Sequence, residues 1–326
     1  MITMQTKELE GFNWSQEDYQ NFGLKNQLLR HNYHQSPLFS DDAIADLLDN
    51  YPRKWLQCYT MGTNPENHND WTPVHIDQLS GTEILDTLHK GRFWLNLINI
   101  DQYNGEYAAL IADMYQKLND NCPHITNMKS SFSALLISSP GIQVYCHVDT
   151  DANMLWHLKG VKRAWVYPHD DKRFTPQAYI EEIVAQERHE NMPYKKWFDE
   201  HAFHSELQAG DVVSWPQHSP HRIENVGVNI SMTTSYSSKE SRRLIGVYGA
   251  NHHFLKKLGI KNRSINTQGL IPTIKEFSYF AFNKLGLLKK GERTSTYVSN
   301  IEVDPNSDTG MSKREKESRT AFSYTD

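Results

Sequence analysis

Apolar positions in the first ninety residues recur at helical spacing between polar loops. Ile44, Leu47, Leu48 and Tyr51 follow Ser40-Asp41-Asp42 and stop at Pro52. A serine cap with acidic residues at the positive end of the helix dipole predicts an amphipathic helix there. A loop rich in Asn, Pro and Gly follows over 62–72, and further helices are expected over 82–89 and 105–118. The period then shortens. Segments 93–100 (FWLNLINI), 133–138, 142–148, 154–158, 164–167, 211–215 and 228–236 are short and β-rich, with turns at Ser139-Pro140-Gly141, Lys159-Gly160, Ala209-Gly210 and 225–227. Such strands without regular intervening helices predict an antiparallel sandwich or barrel.

One long interruption, 169–207, carries a predicted helix over 176–189 and the cluster Tyr194-Lys195-Lys196-Trp197-Phe198. Lying between two strands, it reads as a lid or rim element. Helical spacing returns over 241–258 and 273–288. The second of these helices, with Phe277, Phe280, Ala281, Phe282, Leu285 and Leu288, shows more apolar surface than a lone exposed helix would. It is expected to pack on the barrel or on a second subunit. From 303 the chain is polar and charged and is expected to be a disordered tail. The organisation expected is one domain over 1–302: an N-terminal helical and edge-strand region (1–125), a β core (126–238) with the insertion, and C-terminal helices (239–302).

Composition narrows the chemistry. The chain of 326 residues is 38% hydrophobic and 22% charged, within the globular range. Its 34 basic and 39 acidic residues give a net charge of −5, which speaks against a strongly basic nucleic-acid face. No apolar stretch has the length of a membrane span and the N-terminus lacks a signal-peptide core, so a cytoplasmic location away from membranes is expected. Sixteen histidines against three scattered cysteines mean that a metal, if held, is held by imidazole and carboxylate.

His-x-Asp occurs at His68/Asp70, His75/Asp77, His147/Asp149 and His169/Asp171, so the motif alone has no value. Within a strand, however, residues i and i+2 share a face and present imidazole and carboxylate together. His147/Asp149 alone lies at the end of a convincing strand. A two-histidine, one-carboxylate facial triad leaves open positions suited to non-haem Fe(II). For its third ligand the best placed residue is His221, which begins a strand after Pro216, with the mid-loop His218 as competitor. Strand alternation turns Cys146 away from His147 into the core, and His252 and His253 fall on a helix outside the barrel.

The stretch from Ser133-Ala134-Leu135-Leu136-Ile137 through His147-Val148-Asp149 to Asn153 and Leu158-Lys159-Gly160-Val161-Lys162-Arg163 resembles the core of the cupin-like JmjC hydroxylases. So does Ala209-Gly210-Asp211 through Pro216 to His221-Arg222-Ile223-Glu224-Asn225. Within that family it is most similar to the branch that includes the asparaginyl hydroxylase acting on hypoxia-inducible factor. Three spacings carry the likeness, which extends over 132–236: Asn153 lies six residues after His147, Lys162 fifteen after it, and His221 five after Pro216.

The resemblance implies a mainly β fold with flanking helices, a double-stranded β-helix of the cupin or jelly-roll type. Fe(II) would be held by His147, Asp149 and His221. Lys162 would meet the distal carboxylate of 2-oxoglutarate, since a buried dicarboxylate needs a cation to offset its desolvation. Asn153 and Thr233 would be polar neighbours of that co-substrate. Val144 stands where relatives often carry a hydroxyl, and the usual tyrosine of an earlier strand is replaced by Trp94 or Asn96. The implied activity is a 2-oxoglutarate-dependent dioxygenase hydroxylating a peptide, protein side chain or small metabolite, with substrate contacts expected around Trp197 and the Phe93 strand. A non-catalytic cupin-like scaffold is the alternative, favoured by Val144 and Trp94. A cupin enzyme working without 2-oxoglutarate is a third reading, in which Lys162 has no partner. Relatives dimerise through helices placed like the C-terminal ones here, so a homodimer is expected.

Overall fold

A computed structural model of the chain describes residues 11–67, 70–289, 291 and 294–323. In chain order its strands are β1 (Gln27–Arg30), β2 (Leu56–Thr60), β3 (Thr72–Pro73), β4 (Trp94–Ile98), β5 (Lys129–Ser138), β6 (Gln143–His147) and β7 (Ala152–Lys159). There follow β8 (Val161–Val166), β9 (Phe203–Gln208), β10 (Asp211–Ser214), β11 (His221–Asn225), β12 (Asn229–Ser237), β13 (Thr294–Val303) and β14 (Met311–Ser323). Eight of them form one sheet in the order β1-β10-β7-β12-β5-β4-β2-β3, four form a second in the order β6-β11-β8-β9, and β13 pairs with β14. From β5 to β8 the chain crosses from one sheet to the other at every turn, and it does so again from β9 to β12. All neighbours within the two sheets run antiparallel, so the fold is the double-stranded β-helix expected.

The pattern along β7 shows why the sheets stack. Met154, Trp156 and Leu158 point outward into a core shared with the N-terminal helices, where Ile44, Leu48, Ile84, Leu88 and Ile111 meet them. Leu155, on the opposite face, enters the barrel interior with Val213 of β10 and the following Trp215, and with Ala164, Val166, Leu207 and Ile223 from the smaller sheet. A third core joins the outer face of the smaller sheet, Cys146, Trp165 and Tyr167, to the insertion and the C-terminal helices through Phe174, Ile180, Tyr194, Phe198, Tyr248 and Tyr279. A one-residue slip in register would turn each of these sets to the wrong face, so the pattern fixes the pairing.

Helices form where the caps predict them: Asp41–Asn50 on the Ser40 cap, Gly81–Leu88 on a Ser80 capping box, and Gly105–Asn121. The insertion helix is shorter than expected, Gln177–Val184, and two residues on Gln186 takes a left-handed backbone (φ 59°). The 241–258 helix is Lys239–Ala250 continued by a π-helical turn, Asn251–Lys256, and the last helix is Leu270–Lys284. None of the described helices is long and apolar enough to cross a membrane.

Three features differ from the sequence reading. The insertion ends earlier than residue 207, because Phe203–Gln208 is the outer strand of the smaller sheet, paired with β8 from Val161↔Gln208 to Val166↔Phe203. The N-terminal helical and edge-strand region contributes three strands, β1, β2 and β3, to the large sheet besides the expected β4; β1 and β3 are too short for a periodic signal and are set by pairing with β10 and β2. Over its described part the stretch from 303 is not a disordered tail: after a turn over 304–310, β14 pairs with β13. Its polar composition hides the reason: Val303 is buried, Ile301 and Met311 pack on the first core, and Arg314 bridges Asp77 and Glu302. Main-chain bonds between His75 and residues 301 and 303 seat the ribbon beside β3.

Candidate metal centre

His147 ends β6 and His221 begins β11, and the two are direct partners in the antiparallel ladder. Their rings lie 4.1 Å apart between centroids. His147 Nδ1 is 2.8 Å from the Tyr145 carbonyl and His221 Nδ1 is 3.0 Å from that of Ser219. A carbonyl can only accept, so each Nδ1 carries a hydrogen and Nε2 is the nitrogen left to face a metal. Asp149 lies two residues beyond β6, with Oδ1 3.8 Å from His147 Nε2 and Oδ2 3.5 Å from His221 Nε2. One ligand atom from each of the three lies within 4.8 Å of the others, the single such group of His, Cys, Asp or Glu among the described residues. Burial, with the neighbouring His147, holds His221 well below the usual histidine range and so keeps it neutral. Burial raises the Asp149 carboxyl, opposed by His147 and by a hydrogen bond from Asn153.

The three residues open onto a cavity of about 660 Å³. That is within the size range of small-ligand sites. Leu136, Val144, Leu155, Trp215 and Ile223 form its apolar floor, and Trp94, Asn96 and Tyr145 belong to its wall. The insertion closes another side with Ile183, Val184, Gln186 and residues 189–191. There the Glu190 carbonyl accepts from Val148 N–H, and Met192 N–H donates to the Cys146 carbonyl, so this segment covers the free edge of β6. Trp197, expected among the substrate contacts, instead sits 43% exposed on the outside of the insertion against Phe174 and Phe198. Phe93 itself is core; its strand neighbours Trp94, Asn96 and Ile98 reach the cavity.

The remaining expected site residues divide. Asn153 and Thr233 both line the cavity, but their side chains are engaged: Asn153 Nδ2 donates to Asp149 Oδ2 and Thr233 Oγ1 donates to Asn153 Oδ1, both at 2.9 Å. Asn96 donates to Gln57 while its own Oδ1 is buried and, among the described residues, without a partner, as is Trp94 Nε1. Val144 brings no polar group, and Tyr145, unforeseen in the sequence, lines the wall with its hydroxyl donated to Asp70.

Lys162 lies on the inward face of β8 with Ala164 and Val166. It is one inward position deeper than Ala164, whose cross-strand partner Ile223 forms the cavity floor. It is 2% exposed, burial pushes its ammonium down to about 7, and among the described residues its Nζ has no hydrogen bond or ion pair. Arg222, also buried, is by contrast paired with Asp199 and donates to the Tyr167 hydroxyl. Near Lys162 stands His157, which sequence reasoning passed over. Its Nε2 donates to the Gly160 carbonyl and its Nδ1 accepts from Ser231 Oγ, and burial with the Lys162 charge holds it down at about 3, neutral. The signal was its spacing: Asn153, Leu155 and His157 alternate onto one face.

The competing histidines lie elsewhere. His218 Nε2 donates to the Thr150 carbonyl and so braces the loop that carries Asp149, and burial pushes it down to about 4. His75 bonds the Ser299 carbonyl, His252 meets Glu187 and His253 stacks on Tyr279. Asp171 is taken by Arg173, and His68 lies outside the described residues. Cys146 is buried in the third core.

No protein-family model matches the chain, and no curated protein is similar to it in sequence. Among solved structures it is similar to Escherichia coli ycfD, at 17% identity over 85% of this chain and 68% of that one, with a TM-score of 0.48. It is also similar to the E. coli ribosomal oxygenase YcfD in complex with cobalt and 2-oxoglutarate (16% identity, 85% and 67% covered, TM-score 0.47). A third is the same oxygenase with cobalt and succinic acid (16%, 81% and 63%, TM-score 0.43). These are ribosomal oxygenases, not members of the asparaginyl hydroxylase branch, and at such identities and TM-scores they assign nothing to this chain.

Proposed function

We propose that this chain is an Fe(II)- and 2-oxoglutarate-dependent dioxygenase of the JmjC type that hydroxylates a peptide, protein side chain or small metabolite. One observation carries the reading: His147, Asp149 and His221 turn two imidazole nitrogens and a carboxylate to one point on an open cavity. Two nitrogens and one oxygen on one side of a site, with the rest open, suit non-haem Fe(II). The residues fit 2-oxoglutarate as well. Lys162, one inward position below the cavity floor rather than on the cavity lining, is a buried ammonium with no hydrogen bond or ion pair among the described residues, a state that costs stability and that a bound dicarboxylate reaching past the floor would relieve. Its position is also the feature that favours the asparaginyl hydroxylase branch.

With both groups bound, the chemistry supplied is oxidation of 2-oxoglutarate to succinate and CO₂ coupled to hydroxylation of a substrate C–H bond by O₂. The chain's own part is orientation and exclusion of water. The carbonyls of Tyr145 and Ser219 fix the tautomers of His147 and His221, the ladder fixes their spacing, and the apolar floor keeps water from the site. His157, held neutral by burial and by the Lys162 charge, adds no charge beside Lys162.

The scaffold alternative keeps one observation in its favour, the loss of a hydroxyl at Val144. O₂-dependent succinate formation that requires Fe(II) and disappears in His147→Ala supports the dioxygenase; binding of 2-oxoglutarate without turnover under any substrate supports the scaffold. We further infer a homodimer: Leu270, Ile274 and Phe277 along one face of the last helix, with Leu285 at its C-cap, are 56–75% exposed. Cys58, Cys122 and Cys146 are all free thiols, which suits a reducing compartment, and we place the chain in the cytoplasm.

A further inference from the structure

Asp149 is the one member of the triad that no strand holds. His147 and His221 sit in the β6–β11 ladder and are locked through Nδ1, whereas Asp149 follows the end of β6 in the connection to β7. Its side chain has one hydrogen bond among the described residues, from Asn153 Nδ2 at 2.9 Å to Oδ2. Asn153, the second residue of β7, pairs with Ser235 of β12, and two residues earlier on β12 Thr233 Oγ1 lies 2.9 Å from Asn153 Oδ1.

The proton order along this chain is determined. A carboxylate accepts only, so the Asn153 atom facing Asp149 is the NH₂ group; its carbonyl oxygen therefore faces Thr233, whose hydroxyl must donate. We propose that Thr233 and Asn153 are a positioning relay that fixes the rotation of the Asp149 carboxylate, engaging Oδ2 and leaving Oδ1 free of hydrogen bonds for the metal. This differs from the role of co-substrate contact that the resemblance implies for both residues, and it rests on the reading of the triad as a metal centre. Without the hydroxyl of Thr233 the Asn153 amide loses the partner that holds its NH₂ toward Asp149, and the carboxylate is free to turn about a loop.

The test is Co²⁺ titration of the full chain without 2-oxoglutarate, read by calorimetry and by the visible spectrum of the bound ion. Loss of an outer partner of a metal ligand typically weakens the metal 10- to 100-fold. Asn153→Ala is expected to fall in that range. Thr233→Val, which keeps the shape of the side chain and so the fold, is expected to weaken Co²⁺ about tenfold with an altered spectrum. Thr233→Ser is expected to restore both. Wild-type Co²⁺ affinity and spectrum in Thr233→Val overturn the relay, and so does a loss confined to 2-oxoglutarate affinity, which would return the residues to a contact role. A wild-type chain that takes up no Co²⁺, or one that His147→Ala does not impair, sinks the metal reading and the relay with it.

Discussion

His147 and His221 face each other directly across the β6–β11 ladder, with ring centroids 4.1 Å apart. Residues 74 positions apart in sequence thus acquire the separation of two ligands from backbone pairing alone, and the register irregularity that follows His221 lies immediately next to it. Bulges of this kind re-aim side chains beside active sites. A substitution in the ladder should therefore be felt at the site. Ile223→Pro removes an N–H from β11 and is expected to cost both folding stability and metal affinity, whereas His221→Ala is expected to remove metal affinity while leaving the thermal midpoint of the metal-free chain near that of the wild type. Paired melts with and without Co²⁺ distinguish the two.

Lys162 makes a prediction of opposite sign for stability and for binding. Its ammonium is pushed down to about 7 in the folded chain. An unfolded lysine titrates near 10.4. Between these values the unfolded chain binds more protons, so the penalty is complete below about pH 7 and fades as pH rises toward the unfolded value. Lys162→Met is expected to raise the melting temperature near and below neutral pH while abolishing 2-oxoglutarate binding. In the wild type, 2-oxoglutarate affinity is expected to fall about tenfold per pH unit above 7, because the anion binds the protonated form. Calorimetric titration from pH 6 to 9 checks this; a flat profile removes Lys162 from the co-substrate.

The insertion is held to the C-terminal region by a buried pair. Glu181 is fully buried and meets Arg263 through both oxygens at 2.7–3.1 Å. Removing one partner of such a pair typically costs ~3–5 kcal/mol. Glu181→Ala is expected to lower stability by about that amount in denaturant unfolding, and to raise the KM for substrate more than that for 2-oxoglutarate, since the same insertion walls the cavity through residues 183–191. A loss below ~1 kcal/mol contradicts the buried-pair reading.

For the last helix, light scattering at micromolar concentration should give twice the chain mass, and Phe277→Asp together with Ile274→Asp should give a monomer. A monomeric wild type would leave the exposed stripe without the partner inferred for it.

The sequence was most legible where a side-chain period and a cap coincide. Ser40 with Ile44, Leu47 and Leu48 foretold its helix to the residue at the N-terminal end. The turns at Gly141, Gly160 and Gly210, all with positive φ, foretold the strand boundaries around the site. Gly160 shows why: a Cβ there would lie 2.2 Å from the Val228 carbonyl oxygen. The triad was readable because His147 ends a strand and His221 begins one. Features set by long-range pairing were hidden. Strand β9 was submerged in the insertion and β14 looked like a disordered tail, since neither has the composition of a buried strand. The engagement of Asn153 by Asp149 and Thr233 was equally out of reach, because spacing places a residue near a site but does not say which neighbour takes its hydrogen bonds.

The metal and co-substrate reading stands or falls on anaerobic addition of Fe(II) and 2-oxoglutarate to the purified chain, followed in the visible spectrum. A charge-transfer band that needs both components, and that is lost in both His147→Ala and Lys162→Met, is the result expected. Absence of the band in the wild type, or its persistence in His147→Ala, would contradict the assignment of His147, Asp149 and His221 as the iron site.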